Sequence, residues 1–315
     1  MPLHHKTDYS IGKASNVDLR LLNVFIAVVA HGGFTQAQEP LNLALSSIST
    51  YIHDLETRLG LKLCNRGRGG FSLTENGREV YNEALNLFTA MDQFNANVAS
   101  LKGKLTGELK IGILDNSTMS PSTRLPEVIH RFSEQHPDVH ISIKVLSSDE
   151  IEDELMTGTL HLGIGLYPDA HQALRSLVSF PVAIDLYCGS ESPLFRKTRI
   201  STHDIKQTPY AKGCYSPDHK SSLASLLPTP TASSYLSEGL AFLIMSGRYV
   251  GYLPRRYSAN WVSNGEMRAL PQEQFSHELE LSLVMRRSEK AGPIMRTFLK
   301  SFEAFNDGET PQTKR

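Results

Sequence analysis

The sequence predicts an N-terminal winged helix-turn-helix of mainly α character, then a long linker helix, then an α/β body. Three observations carry this. Short amphipathic stretches over residues 18–60 run into a Gly-rich hairpin, an unbroken apolar heptad occupies 80–101, and strands alternate with helices from Gly107 onward. The size agrees, since 315 residues hold about two domains, or three small units, at roughly 150 residues per domain.

Residues 1–17 are polar and aperiodic and read as a disordered leader. Leu19, Leu22, Phe25, Ile26 and Val29 then form one helical stripe, with Asp18 placed to cap it and Gly32-Gly33 to end it. Thr35-Gln36-Ala37-Gln38 has the pattern of a capping box, so a second helix starts there, and Pro40 keeps it short. Leu45, Ile48, Ile52, Leu55 and Leu59 give a third helix one buried face, and Gly60 is its natural stop. From Leu63 to Leu73 two short extended pieces flank a Gly-rich turn, which reads as a hairpin and closes a domain over 18–73.

Thr74 caps the linker helix, assigned to 74–103. Along it Val80, Ala84, Leu87, Met91, Phe94, Val98 and Leu101 alternate spacings of four and three, the period of a two-helix supercoil. A helix of that length, about 42 Å at 1.5 Å per residue, with so narrow a stripe favours pairing with a second copy over ordinary core packing. Beyond the hinge glycines Gly103 and Gly107, strands are expected at 109–114, 139–145, 160–165, 182–188, 249–253 and 280–285. Helices are expected at 121–135, 149–157, 233–246 and 290–305, giving a body over 108–305 and a tail at 306–315.

Composition narrows the function classes. Apolar residues make up 40% and no apolar run approaches the roughly 18 residues of a membrane span. The N-terminus has no apolar signal core, and Cys64, Cys188 and Cys214 are odd in number and far apart, so a reducing cytoplasm fits. Lys and Arg total 32 against 33 Asp and Glu, so any affinity for nucleic acid has to be local.

It is local. At 100° per residue, Ser46, Ser47, Thr50, Asp54 and Thr57 lie opposite the buried stripe of the third helix, with Tyr51 and His53 flanking them. A helix fits the major groove, and small hydroxyl residues let it approach base edges closely. Within this helix no Arg or Lys precedes Arg58, so reading would depend on hydroxyl, water and shape contacts rather than on the bidentate guanine contact. Arg58, Lys62, Arg66 and Arg68 follow without an intervening acid, and Arg66 and Arg68 lie in the wing, placed for phosphate or minor-groove contact.

At this point the chain resembles a known family. Asp18-Leu-Arg-Leu-Leu22, Phe25, Gly33-Phe34-Thr35-Gln36-Ala37, Ser46-Ser47-Ile48-Ser49, Leu55-Glu56, Leu59-Gly60, Arg66, Leu73-Thr74 and Gly77 are similar to the N-terminal domain of LysR-type transcriptional regulators. Gly107-Glu108-Leu109-Lys110-Ile111-Gly112, His136-Pro137-Asp138-Val139, Gly158-Thr159-Leu160-His161-Leu162-Gly163-Ile164 and Gly247-Arg248-Tyr249-Val250-Gly251 follow its effector domain. Departures include Gln38 for a common Ala, Leu45 for a common Gln and His161 for a common Asp.

The resemblance implies a regulator that binds double-stranded DNA and a small polar or anionic effector, with RNA polymerase as a further partner and no membrane. It implies a periplasmic-binding-protein-like body of two α/β subdomains, the first 108–168 plus 268–305 and the second 169–267. It also implies self-association to a dimer and then a tetramer. DNA contact falls on Thr35, Gln36, Ser46, Ser47, Ser49, Thr50, His53, Arg66 and Arg68; effector contact falls on Asn116, Ser117, Thr118, Ser147 and Ser148, which follow the body's first two strands and of which Asn116 and Ser148 match the family by motif position. Such loop residues serve equally well as helix caps and turn formers.

Other chemistry is incomplete. Pro168 interrupts a dinucleotide fingerprint begun at Gly163, and Leu281 stands where a zinc-protease helix starting at His277 needs its second His. No cofactor, metal site or catalytic residue is expected. A reactive thiol at Cys214 lacks a neighbouring second Cys. The competing reading is a solute-binding receptor or enzyme whose N-terminal helices only dimerise it.

Overall fold

The computed structural model describes residues 16–67, 70–101, 104–117, 124–167, 172–288 and 291–306. The chain falls into two compact units, divided between Met91 and Asp92. The expected leader and tail, apart from residues 16–17 and 306, lie outside the described residues, as do Arg68 and Thr118.

In the first unit, α1 (Asn16–Ala30) buries Leu21, Val24, Phe25 and Val28. Of the expected stripe only Phe25 is fully covered, and Leu19, Leu22, Ile26 and Val29 are half-buried. The face turns because both flanks of an almost wholly apolar helix are hydrophobic, so packing against its neighbours picks the centre line. Asp18 lies inside the helix rather than at its cap. The second helix is short as expected, α2 (Gln38–Leu41), but its cap residue Ala37 makes no side-chain bond. Gln38 Nε2 donates to the Thr35 carbonyl at 3.2 Å, so the expected capping box does not form.

Helix α3 (Leu45–Leu59) buries Ile48, Ile52 and Leu55, and Gly60 ends it at φ +65°. Leu45 and Leu59, expected in the same stripe, are each 43% exposed, because the end turns project past the core. Strands β1 (Cys64–Gly67) and β2 (Gly70–Leu73) pair antiparallel with Cys64 opposite Leu73. Glu56 on α3 pins this wing, since its Oε1 accepts from the Leu63 and Cys64 amides at 2.8 and 3.1 Å. Helix α4 (Glu75–Leu101) begins where Thr74 Oγ1 accepts from the Gly77 amide at 2.9 Å and donates to the Lys62 carbonyl at 2.6 Å.

The second unit is built on a nine-stranded sheet of the described residues. Strands β3 (Gly107–Ile113), β4 (Val139–Val145) and β5 (Leu162–Leu166) run parallel, with α5 (Leu125–Gln135) and α6 (Ser148–Met156) as crossovers. Strand β6 (Leu174–Gly189), seven of whose residues were expected as strand, is sixteen residues long. Its first part pairs with β11 (His277–Arg286), and Ile184–Cys188 pair with β9 (Val250–Pro254).

These strands tie a first lobe to a second one made by α7 (Thr202–Gln207), β7 (Tyr210–Lys212), β8 (Pro230–Ser233), α8 (Ser237–Met245), α9 (Arg255–Ser263) and β10 (Met267–Ala269). The sheet order is β4-β3-β5-β11-β6-β9-β7-β8, with β10 paired to β6. A single turn, α10 (Gln272–Phe275), returns the chain to β11, and α11 (Pro293–Asn306) closes the first lobe with Phe298 edge-on to Phe132 at 5.2 Å.

Candidate nucleic-acid interface and effector cleft

The surface of α3 follows from its buried side. With Ile48, Ile52 and Leu55 inward, Ser46, Thr50, His53, Asp54 and Thr57 stand exposed and Ser47, Ser49 and Tyr51 are half-covered. The Thr50 hydroxyl donates to the Ser46 carbonyl at 3.0 Å, and Thr57 does the same to His53 at 2.8 Å. Their protons are committed to the helix, so their oxygens face outward as acceptors. The Arg20 guanidinium lies 4.8 Å over the Tyr51 ring and braces α1 against α3. Thr35 and Gln36 are exposed just ahead of α2. Arg66 occupies β1 opposite Phe71.

The linker seam divides. Ala84 is buried and Val80 packs against the first unit's core. Leu87, Met91, Phe94, Val98 and Leu101 are exposed, Phe94 at 66% and Leu101 at 88%.

In the second unit the loops after β3 and β4 hold the expected polar residues. Ser147 caps α6 in a full capping box: its hydroxyl accepts from the Glu150 amide at 3.3 Å, and Glu150 Oε2 accepts from the Ser147 amide at 2.9 Å. These bonds hold the Glu150 carboxyl below its usual range. Ser148 Oγ accepts from the Leu166 amide at 3.0 Å and joins α6 to the end of β5. Ser117 donates to the Leu114 carbonyl. Asn116 takes a left-handed conformation, φ +62°, and its Nδ2 donates to Asp115 Oδ2 at 3.1 Å.

Asp115 is the residue that sequence reasoning missed. Its Oδ2 also accepts from the Ser237 amide, the first residue of α8, and the Tyr215 hydroxyl donates to its carbonyl at 3.0 Å. A first-lobe carboxylate thus sits on a second-lobe helix start, where the dipole favours it. Its other oxygen, Oδ1, is buried with no hydrogen-bond partner among the described residues. The only signal in the sequence was a carboxylate immediately before Asn116; its partners lie 100 and 122 positions away.

Behind this junction Asp185 on β6 accepts from Arg255 Nε and Nη2 at 2.8 and 2.9 Å and from Ser276 Oγ at 2.6 Å. Burial pushes its carboxyl up, but these bonds prevail and hold it below the usual 3.8. Burial also pushes the Cys214 thiol up to about 12, and the Asp115 charge adds to this, so the thiolate needed for redox chemistry is disfavoured. Among the described residues no cluster of His, Cys, Asp and Glu could hold a metal ion, and no helix is long and apolar enough to cross a membrane.

An exposed recognition helix with a wing, a linker helix and a bilobal α/β body define a ligand-responsive transcription regulator. The chain belongs to the LysR family: residues 19–78 match the bacterial regulatory helix-turn-helix of that family and residues 102–306 its substrate binding domain. It is 34% identical over 294 residues to the HTH-type transcriptional activator BauR of Pseudomonas aeruginosa, covering 93% of this chain and 96% of that one. It is 31% identical over 201 residues to an SDS degradation transcriptional activation protein of a Pseudomonas species, covering 62% and 64%. The fold is that of the LysR-family regulator CbnR, at a TM-score of 0.62 and 17% identity over 91% of this chain and 98% of that one. CbnR has also been solved with its target DNA, and that structure matches at a TM-score of 0.61 and 19% identity over 91% and 99%. The chain is therefore a LysR-type transcriptional regulator with a DNA-binding and an effector-binding domain, and the receptor-or-enzyme reading falls away.

Proposed function

We propose that 18–73 is the DNA-reading domain, that α3 enters the major groove through Ser46, Ser47, Ser49, Thr50 and His53, and that Thr35 and Gln36 meet the adjoining backbone. The observation that carries this reading is the outward, fully polar face of α3 opposite its three buried apolar residues. Hydroxyl oxygens whose protons are held by the helix accept from adenine or cytosine amino groups. Arg66 and Arg68 in the wing supply phosphate or minor-groove contact.

The helix over 74–103 pairs two copies through the exposed part of its apolar seam, from Leu87 to Leu101. The family's further pairing through the bodies makes a tetramer, whose DNA domains read half-sites an integral number of turns apart, roughly 34 Å per turn. The body over 108–305 binds a small polar effector between its lobes, near Asn116, Ser117, Thr118, Ser147 and Ser148. That binding biases two arrangements of the tetramer and so changes DNA bending and polymerase access. The protein works in the cytoplasm.

A gel shift with the DNA upstream of the protein's own gene tests the reading. Sequence-selective, salt-sensitive binding is expected, weakened about fivefold in Thr50→Val, which keeps the shape and removes the acceptor. Equal affinity for unrelated DNA would sink it.

A further inference from the structure

Beside the end of α4 the second unit has a half-open cavity of about 330 Å³, separate from the residues assigned to the effector cleft. Its polar walls are Asp92 and Asn95 from the last turns of α4, Glu108 and Lys110 from β3, and His161 from the loop before β5. The start of α11, around Ile294, supplies an apolar floor. The volume sits at the low end of ligand pockets, which run from about 300 to 1,000 Å³, and suits a molecule of few heavy atoms.

The chemistry of the walls is two-sided. The Lys110 amide donates to His161 Nδ1 at 3.1 Å, and the His161 amide donates to the Lys110 carbonyl at 3.0 Å. A ring nitrogen that accepts carries no proton, so the His161 proton sits on Nε2 and is free to be donated. The Lys110 ammonium lies 3.4 Å from the Glu108 carboxylate, and an ammonium has further protons to give. Asp92 lines the same cavity as His161. The cavity therefore presents donors at Lys110 and His161 and an acceptor at Asp92. Among the described residues Asp92 has no ion-pair partner, whereas Glu108 pairs with Lys110.

We propose that this cavity binds a small zwitterion of the amino-acid class, its carboxylate on Lys110 and His161 and its ammonium on Asp92. The bound molecule fastens the last turns of α4 to β3. An anion alone would face two carboxylates, and a cation alone would leave the Lys110 and His161 donors without an acceptor. His161 stands where the family commonly has Asp, and an Asp there would set a third carboxylate against the donor side. The site does not depend on which effector fills the cleft.

The experiment uses the full chain with each standard L-amino acid at up to about 10 mM, a range that detects millimolar affinity. Binding is read by calorimetry and by hydrogen exchange. At least one amino acid is expected to bind and to slow exchange at 92–98 and 108–111. Asp92→Asn and Lys110→Met, both on accessible side chains, are expected to weaken it about tenfold each. For a binder, the matching carboxylic acid without the amine and the matching amine without the acid are expected to fail. The proposal is overturned if no amino acid binds, if the acid or the amine alone binds as well, or if both variants retain full affinity. It is equally overturned if protection appears only at 115–117 and 237–240, which would make the molecule a cleft effector and leave the regulator reading intact.

Discussion

His161 shows how one side chain can be set against its own ionisation. Burial pushes its pKa down to about 4 from the usual 6.5, and the Lys110 charge pushes the same way, while Glu108 and Asp92 oppose. The unfolded chain therefore binds a proton between pH 6.5 and about 4 that the folded unit refuses. Stability from this group is complete above pH 6.5 and is lost as pH falls toward 4. We expect the second unit's melting temperature to drop across that window. His161→Asn, whose Oδ1 can accept the Lys110 amide without titrating, should flatten part of the slope. A further part belongs to His277, which burial also pushes down. An identical pH profile in the variant, measured by circular dichroism melts, would show that His161 is not held neutral.

At the scale of elements, packing contacts decide what residue patterns leave open. Helices α3 and α4 were legible because each has a single apolar stripe with a period that fits one face. The stripe of α1 was misplaced by one residue because Leu, Val, Ile and Phe nearly encircle it, so periodicity alone has no minimum. Strand β6 was read at less than half its length, since Arg175, Ser176, Ser179 and Pro181 look like loop residues. They are tolerated because β11 pairs along this whole stretch, and Ser179 and Ser282 hydrogen-bond to each other at 2.8 Å.

The junction of wing and linker helix shows the same logic. A Cβ on Gly77 would collide with the Leu63 carbonyl oxygen, so only glycine lets α4 start against the wing. Beyond that junction Phe94, exposed at 66%, lies on a seam with Leu87, Met91, Val98 and Leu101, which are also exposed among the described residues. Phe94→Glu would put a charge into each copy of a paired seam, at a cost of several kcal/mol once desolvated. The dimer measured by analytical ultracentrifugation should dissociate at least about tenfold more readily, with the monomer's helical content kept. Unchanged association would place the dimer contact elsewhere.

Across the whole molecule, the effector-binding unit is two lobes strung on β6 and β11, and such a pair changes its angle most easily where few bonds cross between lobes. Asp115 makes one of those crossing bonds, to the Ser237 amide at the start of α8. It combines a favourable helix-terminus contact with an unfavourable one, because its Oδ1 is buried without a partner among the described residues. This arrangement of the lobes is therefore held by a contact that is also under-satisfied, and a ligand able to complete that shell would favour keeping the lobes together. None of this could be seen in the sequence, because helix starts and loop carboxylates are common and only the fold brings these together.

Asp115→Ala removes the acceptor and leaves the Ser237 amide unpaired, so the start of α8 should open more often. Hydrogen exchange at 237–240 is expected to speed up by about tenfold, equivalent to roughly 1.4 kcal/mol, while exchange in the core of β3 and β5 stays as it was. If the lobes are instead locked by Asp185 and Arg255 alone, whose bidentate pair lies behind the junction, the substitution will leave α8 protected. The hinge would then have to be sought at that ion pair, with Arg255→Met as the variant that frees it.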